Sequence, residues 1–263
     1  MKRFLDIVSG LYALLAYGFI YLPIVVLVLF SFQAGRFPLP PFTGPSLRWY
    51  DEVLGDAKFT HAMLNSAVLG VVSSAVAVLL GFLAAYGCAR MRGDFGNTVR
   101  ALLIAPLSVS YLIIGMGLVV LFNAAGVPKS LFAVGVGHVV INLPLCFAIL
   151  YSQMNDNIIR LEQAARDLGA KEWQVLALVV APVLWPALVA SFVLSLTLSW
   201  DEFLIAFLLT RFETTLPVEI WTLLRSGLNP KANAIGAIVF GVSVVMVVLA
   251  ELAIFGKRKK QKS

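Results

Sequence analysis

The sequence predicts an all-α integral membrane protein with six transmembrane helices, and three observations predict it. Of 263 residues, 60% are hydrophobic and only 13% charged, against roughly half and about a quarter in a soluble domain. The apolar residues gather into runs of the ~20 residues that cross a ~30 Å hydrocarbon layer. The basic residues between those runs favour one set of alternate loops, as membrane orientation requires.

In chain order, the spans are expected at about 7–32, 62–89, 101–123, 131–153, 178–209 and 233–256, in a single transmembrane domain. The start, MKRFLDIVSG, has a signal-like charge, but its apolar run outlasts the roughly 7–15 residues of a signal core and reads as an uncleaved first span. Pro23 lies inside that run, where neighbouring helices can satisfy the freed carbonyl. The loop 33–61 carries Pro38, Pro40, Pro41 and Pro45, then a short helix over Leu47–Leu54 with Ser46 as its N-cap. The second run is rich in Gly, Ala and Ser, which suits close helix packing in lipid. Pro106 interrupts the third, the fourth holds His138, Asn142 and Pro144, and the fifth reaches Asp201 and Glu202 before its apolar pattern resumes. The loop 210–232 leads to the sixth, which ends beside a KRKK cluster at 257–260.

Six spans place both termini on one side. That side, with the loops after spans two and four, holds 13 of the 20 Lys and Arg residues against 7 opposite, so both termini and the loop 156–173 are expected in the cytoplasm. The loops 33–61 and 210–232 then face the periplasm. The net charge of +6 is explained by this bias, the KRKK tail included; anionic lipid is its expected partner, and nucleic acid is not. Cys88 and Cys146 both sit in apolar runs, so neither a disulfide framework nor a metal site is expected. No G-x-x-x-x-G-K-[ST] phosphate loop occurs.

The chain is organised around Ile158–Pro186, a polar helical stretch that turns at Gly169 and re-enters an apolar run. Asp156 and Asn157 are candidate N-caps for a helix ending at Leu168. Ile158, Leu161, Ala165 and Leu168 recur with helical spacing as an apolar stripe. Ala164 and Ala165 would let another surface approach the backbone, and Gly169 closes the helix at low steric cost. The stretch is either a helix lying at the headgroup level or a docking surface.

The spacing resembles the EAA signature of ABC-importer permeases, E-A-A-x3-G-x9-I-x-L-P. Here Gln163-Ala164-Ala165 is followed by three residues, Gly169, nine residues, and Val179-Val180-Ala181-Pro182. The spacing is kept, while Gln163, Val179 and Ala181 replace Glu, Ile and Leu, with Glu162 one position earlier as the available carboxylate. The resemblance implies a coupling helix formed by Glu162, Gln163, Ala164, Ala165, Asp167, Leu168 and Gly169, seated on a separate ATPase. It further implies a type I ABC-importer permease fold, two copies of an ATP-binding subunit that hold ATP and Mg, a sister permease in a heterodimer, and a periplasmic solute-binding protein. No catalytic residue and no cofactor are expected on this chain, which would be a transport subunit and not an enzyme.

The stretch from Ser199 to Phe240 resembles the fifth and sixth spans of spermidine/putrescine permeases, most visibly at Thr214–Trp221 and Arg225–Ala234. That resemblance implies a bacterial inner-membrane importer of polyamines. Related permeases for iron, sulfate, thiamine or organophosphonates share much of the pattern, and an ion-coupled secondary transporter acting through Asp201 or Glu202 is a further alternative. A polycation calls for acidic partners, so Asp201 and Glu202 are candidate pathway residues, with Asp201 preferred. Adjacent on a helix, they point about 100° apart. Trp200 would add a cation–π contact or anchor the interface. Tyr111 and Asn142 either line the pathway or satisfy backbone freed by prolines. His138 is expected to be hydrogen-bonded between helices.

Overall fold

The computed structural model describes residues 2–35, 37, 40–91, 93–225, 227 and 230–260, with side chains outside 2–5, 7, 249–250 and 253–260. Pro38, and Arg36, Arg92 and Lys262 among the basic residues counted above, lie outside the described residues, as do three positions of the Arg225–Ala234 motif and the side chains of the KRKK cluster.

The described residues form helices and no β-strand. In order these are α1 (Lys2–Ser31), α2 (Arg48–Leu54), α3 (Ala57–Cys88), α4 (Gly93–Ile104), α5 (Tyr111–Ala124), α6 (Leu131–Ser152), α7 (Asp156–Asp167), α8 (Glu172–Gln174), α9 (Ala181–Val183), α10 (Trp185–Trp200), α11 (Leu204–Leu209), α12 (Leu216–Arg225) and α13 (Pro230–Lys260). A 3₁₀ turn over Ala105–Ser108 follows α4, and a π-helix over Val175–Val180 joins α8 to α9.

Four stretches are long and apolar enough to cross a membrane, Val8–Ser31, Ala57–Cys88, Leu131–Ser152 and Pro230–Val248, and two bent pairs bring the number to six if each pair is one crossing. The third and fifth expected spans fall on these pairs. Gly93–Ser108 and Tyr111–Ala124 meet at 104°, because Pro106 removes a helical donor and Val109 and Ser110 are extended. Glu172–Val183 and Trp185–Trp200 meet at 77°. Pro186 sits there in the first turn of α10, where its missing N–H costs nothing.

The chain divides into two compact units. In the first, Met1–His61 with Glu219–Ser243, the loop after α1 is tightly tied. The Trp49 indole donates to the Gln33 carbonyl at 2.7 Å, and the Gln33 side chain bonds Pro41 O and Thr43 N. The residue capping α2 is Leu47, not Ser46, although the Ser46 hydroxyl accepts from Arg48 N–H at 3.2 Å. Lys231 bridges Asp56 at 2.9 Å and Lys58 bridges Glu219 at 2.8 Å. The hydrogen bond from Lys231 holds the Asp56 carboxyl below its usual range. An Asp56 oxygen also accepts from Lys58 N–H, which starts α3 five residues before the expected span at Ala57.

In the second unit, Ala62–Val218 with Val244–Ser263, two apolar clusters hold the helices together. One gathers Leu118, Val134, Ile141, Ile205 and Leu209 from α5, α6 and α11. The other joins Phe82 and Ala85 of α3, Phe147 and Leu150 of α6, Ile158 of α7, and Val175 and Val180 of the π-helix. At Gly81 the backbones of α3 and α6 nearly touch: a β-carbon there would lie 2.9 Å from Phe147 N and from Cys146 Cβ. The loop 210–232 contains α12, which the proline and glycine content concealed; its first N–H, at Leu216, donates to the Ser66 hydroxyl at 2.8 Å.

Candidate functional site

Two groups of polar side chains stand out, both in the second unit. The first surrounds α7. Asn155, rather than Asp156 or Asn157, caps the helix, its side chain accepting from Ile158 N–H at 3.2 Å. The far end closes on Gly169 at φ +86, with Gly169 N–H to Arg166 O and Ala170 N–H to Ala165 O, the paired bonds of a glycine-terminated helix.

The expected apolar stripe divides between two faces. Ile158 is buried and Ala165 packs beside it, whereas Leu161 is 48% and Leu168 90% exposed. At about 100° per residue, Leu161 and Leu168 lie some 60–80° round the helix from Ile158, toward the exposed Ala164. Gln163, Asp167 and Gly169 are exposed too. Thus α7 shows a small apolar face, Leu161, Ala164 and Leu168, set among charges.

Glu162 is not on that face. It is 1% exposed and ion-paired with Arg90, beyond the end of α3, and lies 3.7 Å from Arg166. Among the expected coupling residues it therefore fastens the helix from within instead of meeting a partner. Arg166 in turn forks onto Glu172, at 2.7 and 3.0 Å. The Tyr86 hydroxyl donates to Glu172 at 3.0 Å, and the Arg90 guanidinium lies 3.2 Å from the Tyr86 ring centroid. The fork from Arg166, with the Tyr86 bond next, draws the Glu172 carboxyl down to about 2 and raises the Arg166 guanidinium further. Sequence reasoning missed Arg90, Tyr86, Arg166 and Glu172. The Glu162–Arg166 spacing of four was the available sign.

The second group lies among the apolar helices. His138 Nδ1 and the Ser199 hydroxyl are hydrogen-bonded, joining α6 to α10 as expected, and Ser199 lies 3.1 Å from Ser73 on α3. His138 Nε2 lies 3.6 Å from a Glu202 oxygen. That oxygen also accepts from Ile205 N–H at 2.9 Å and Ala206 N–H at 3.2 Å. The Glu202 carboxylate, buried, thereby satisfies the first donors of α11. Asp201, next to it, ends α10 and is exposed.

Asn142 is fully buried one helical turn from His138. Trp200 is 2% exposed, buried at the end of α10. Tyr111 packs against the apolar cluster of α5, α6 and α11. Ser191, Ser195 and Ser199 form a buried row along α10, legible as a spacing of four and not singled out from the sequence. A groove of about 490 Å³ between α3 and α6 has Asn65 and Ser73 as its polar lining side chains, and such walls suit hydrocarbon better than a polycation.

Apolar helices long enough to cross a membrane, a buried polar cluster among them and one ordered amphipathic loop helix define a membrane-transport subunit. The chain belongs to the binding-protein-dependent transport system inner membrane component family, whose profile matches residues 77–259. It is 29% identical over 245 residues to the Escherichia coli K12 spermidine/putrescine transport system permease protein PotC, covering 92% of each chain. It is 30% identical over 236 residues to the putrescine transport system permease protein PotI of the same strain, covering 87% of this chain and 84% of that one. A chain of a bacterial ABC transporter that imports the acidic polysaccharide alginate shares the fold, with a TM-score of 0.68 at 20% identity over 97% of this chain and 96% of that one.

Proposed function

We propose that this chain is the transmembrane permease subunit of an ATP-driven importer of polyamines. The observation that carries the reading is the outward face of α7, with Leu168 90% exposed on a helix held from behind by Glu162. An exposed apolar patch rimmed by charges marks a protein contact, and the spacing of Gln163-Ala164-Ala165 to Gly169 supports reading the contact as an ATPase groove. Two ATPase copies close on ATP, α7 moves with them, and a sister permease completes the pathway. The loop's different contacts with the two ATPase states shift the bundle between inward and outward openings. A periplasmic binding protein delivers the solute, and both termini lie in the cytoplasm of a bacterial cell, a reading that the distribution of basic residues supports.

The named substrates of the relatives support a polyamine cargo, and of the adjacent pair Asp201 and Glu202 it is Asp201 that is exposed and could meet an ammonium group. The test is ATP hydrolysis by the reconstituted complex as binding protein loaded with putrescine, spermidine, sulfate, thiamine or iron is added. Stimulation by a polyamine supports the reading. Stimulation by another solute keeps the importer and replaces the cargo. Solute movement without the ATPase would sink the reading of α7.

A further inference from the structure

We propose that the motion of α7 enters the bundle through α3, and that Arg90 is the positioning residue that makes the connection. This rests on the reading of α7 as the ATPase-docking helix.

Two chain connections hold α7, and both are turns. From α6 the chain passes through the non-helical Gln153–Asn155 segment, and onward it passes Gly169 at φ +86, the π-helix and the 77° bend before α10. Apolar packing also holds α7, with Ile158 in one buried cluster with Leu150 of α6 and with Val175 and Val180 of the π-helix.

The ion cluster adds a charged hold on α3. Glu162, 1% exposed, pairs with Arg90. Arg166, one turn on, reaches Glu172 beyond the Gly169 turn, and Tyr86 of α3 donates to that same carboxylate. Residues at one end of α3 thus grip the chain on both sides of Gly169. Ile158 shares an apolar cluster with Phe82 and Ala85 of α3, which opposes sliding. From there α3 runs unbroken through 32 residues without a proline. Ser73, about 20 Å along it from Tyr86, meets Ser199 at 3.1 Å, beside His138 and Glu202. A rigid helix clamped at one end and hydrogen-bonded to the buried polar cluster further along is a physical route for coupling.

The test compares wild type with Arg90→Glu, Glu162→Arg and the double exchange, each checked for monodisperse elution with the ATPase bound. The exchange keeps opposite charges at positions 90 and 162, so it separates their pairing from a general need for Arg90. Polyamine imported per ATP hydrolysed should fall at least tenfold in each single variant and return to within about threefold of wild type in the exchange. A second readout needs no cargo: spin labels at Asp156→Cys on α7 and Leu64→Cys on α3. Their separation should be the same in nucleotide-free and vanadate-trapped wild type, and should change on trapping in Arg90→Glu. Unchanged coupling in the single variants, an exchange no better than either, or a wild-type separation that already changes on trapping would overturn the proposal. If wild type moves no polyamine, the cargo is wrong and the spin labels still decide the clamp. If wild type binds no ATPase, the reading of α7 falls and this inference with it.

Discussion

Replacing Glu202 by Gln should damage the fold more than its neighbour's replacement, and damage transport less directly. In the structure one Glu202 oxygen accepts from Ile205 N–H and Ala206 N–H and lies 3.6 Å from His138 Nε2. A hydrogen bond to a charged group contributes about 1.5–3 kcal/mol and a neutral one about 0.5–1.5. Glutamine keeps one acceptor oxygen, so Glu202→Gln should lose roughly 1–3 kcal/mol. Glu202→Ala leaves two buried donors without a partner at about 1–3 kcal/mol each, a large part of a domain's stability. Asp201 is exposed, and Asp201→Asn should leave stability within about 0.5 kcal/mol while raising the polyamine concentration needed for half-maximal uptake. The assay pairs the midpoint of heat-induced loss of monodisperse protein in detergent with uptake in proteoliposomes. A loss of 2 kcal/mol corresponds to a midpoint about 4–8 °C lower. If Glu202→Gln abolished uptake at an unchanged midpoint, its carboxylate would be a solute ligand and not a helix cap.

Other perturbations probe the loop and the packing. Leu168→Asp, at a side chain 90% exposed, should leave stability unchanged yet release the ATPase on co-purification. Gly169→Ala meets no neighbour within 4 Å but must adopt φ +86, a cost of about 1–2 kcal/mol visible in the thermal midpoint. Gly81→Leu drives a side chain into the α6 backbone and should cost at least about 1–3 kcal/mol, seen as a lower yield of folded protein. The Glu172 carboxyl, drawn from 4.5 to about 2 mainly by Arg166, is lowered on folding. Its stabilisation is thus present above pH 4.5 and lost as pH falls toward 2. The midpoint difference between wild type and Glu172→Gln should stay constant from pH 7 to about 5 and vanish on further acidification.

Much of this was legible in the sequence because lipid simplifies the problem: an apolar run of sufficient length must be a helix. The same simplicity hid the breaks. Pro106 marked an interruption, but its 104° bend depends on extended residues at Val109 and Ser110, and the bend at Pro186 was folded into one expected span. Gly169 was read correctly because a left-handed closing residue favours glycine. The Arg90–Glu162 pair was not seen, since contacts between distant segments leave no periodic trace. Periodicity also grouped Leu161 and Leu168 with Ile158 and Ala165 in one apolar stripe, which the structure divides into a buried part at Ile158 and an exposed part at Leu161 and Leu168. Adjacent carboxylates at Asp201 and Glu202 look alike in a sequence, and only the start of α11 separates the cap from the free group.

The most direct test of the central claim is the time course of labelled spermidine uptake into proteoliposomes holding this chain, its sister permease and the ATPase, with binding protein outside and ATP within. Accumulation that requires ATP inside, requires the binding protein and is lost on Leu168→Asp is the expected result. Accumulation without ATPase or ATP, driven by an ion gradient alone, would contradict it.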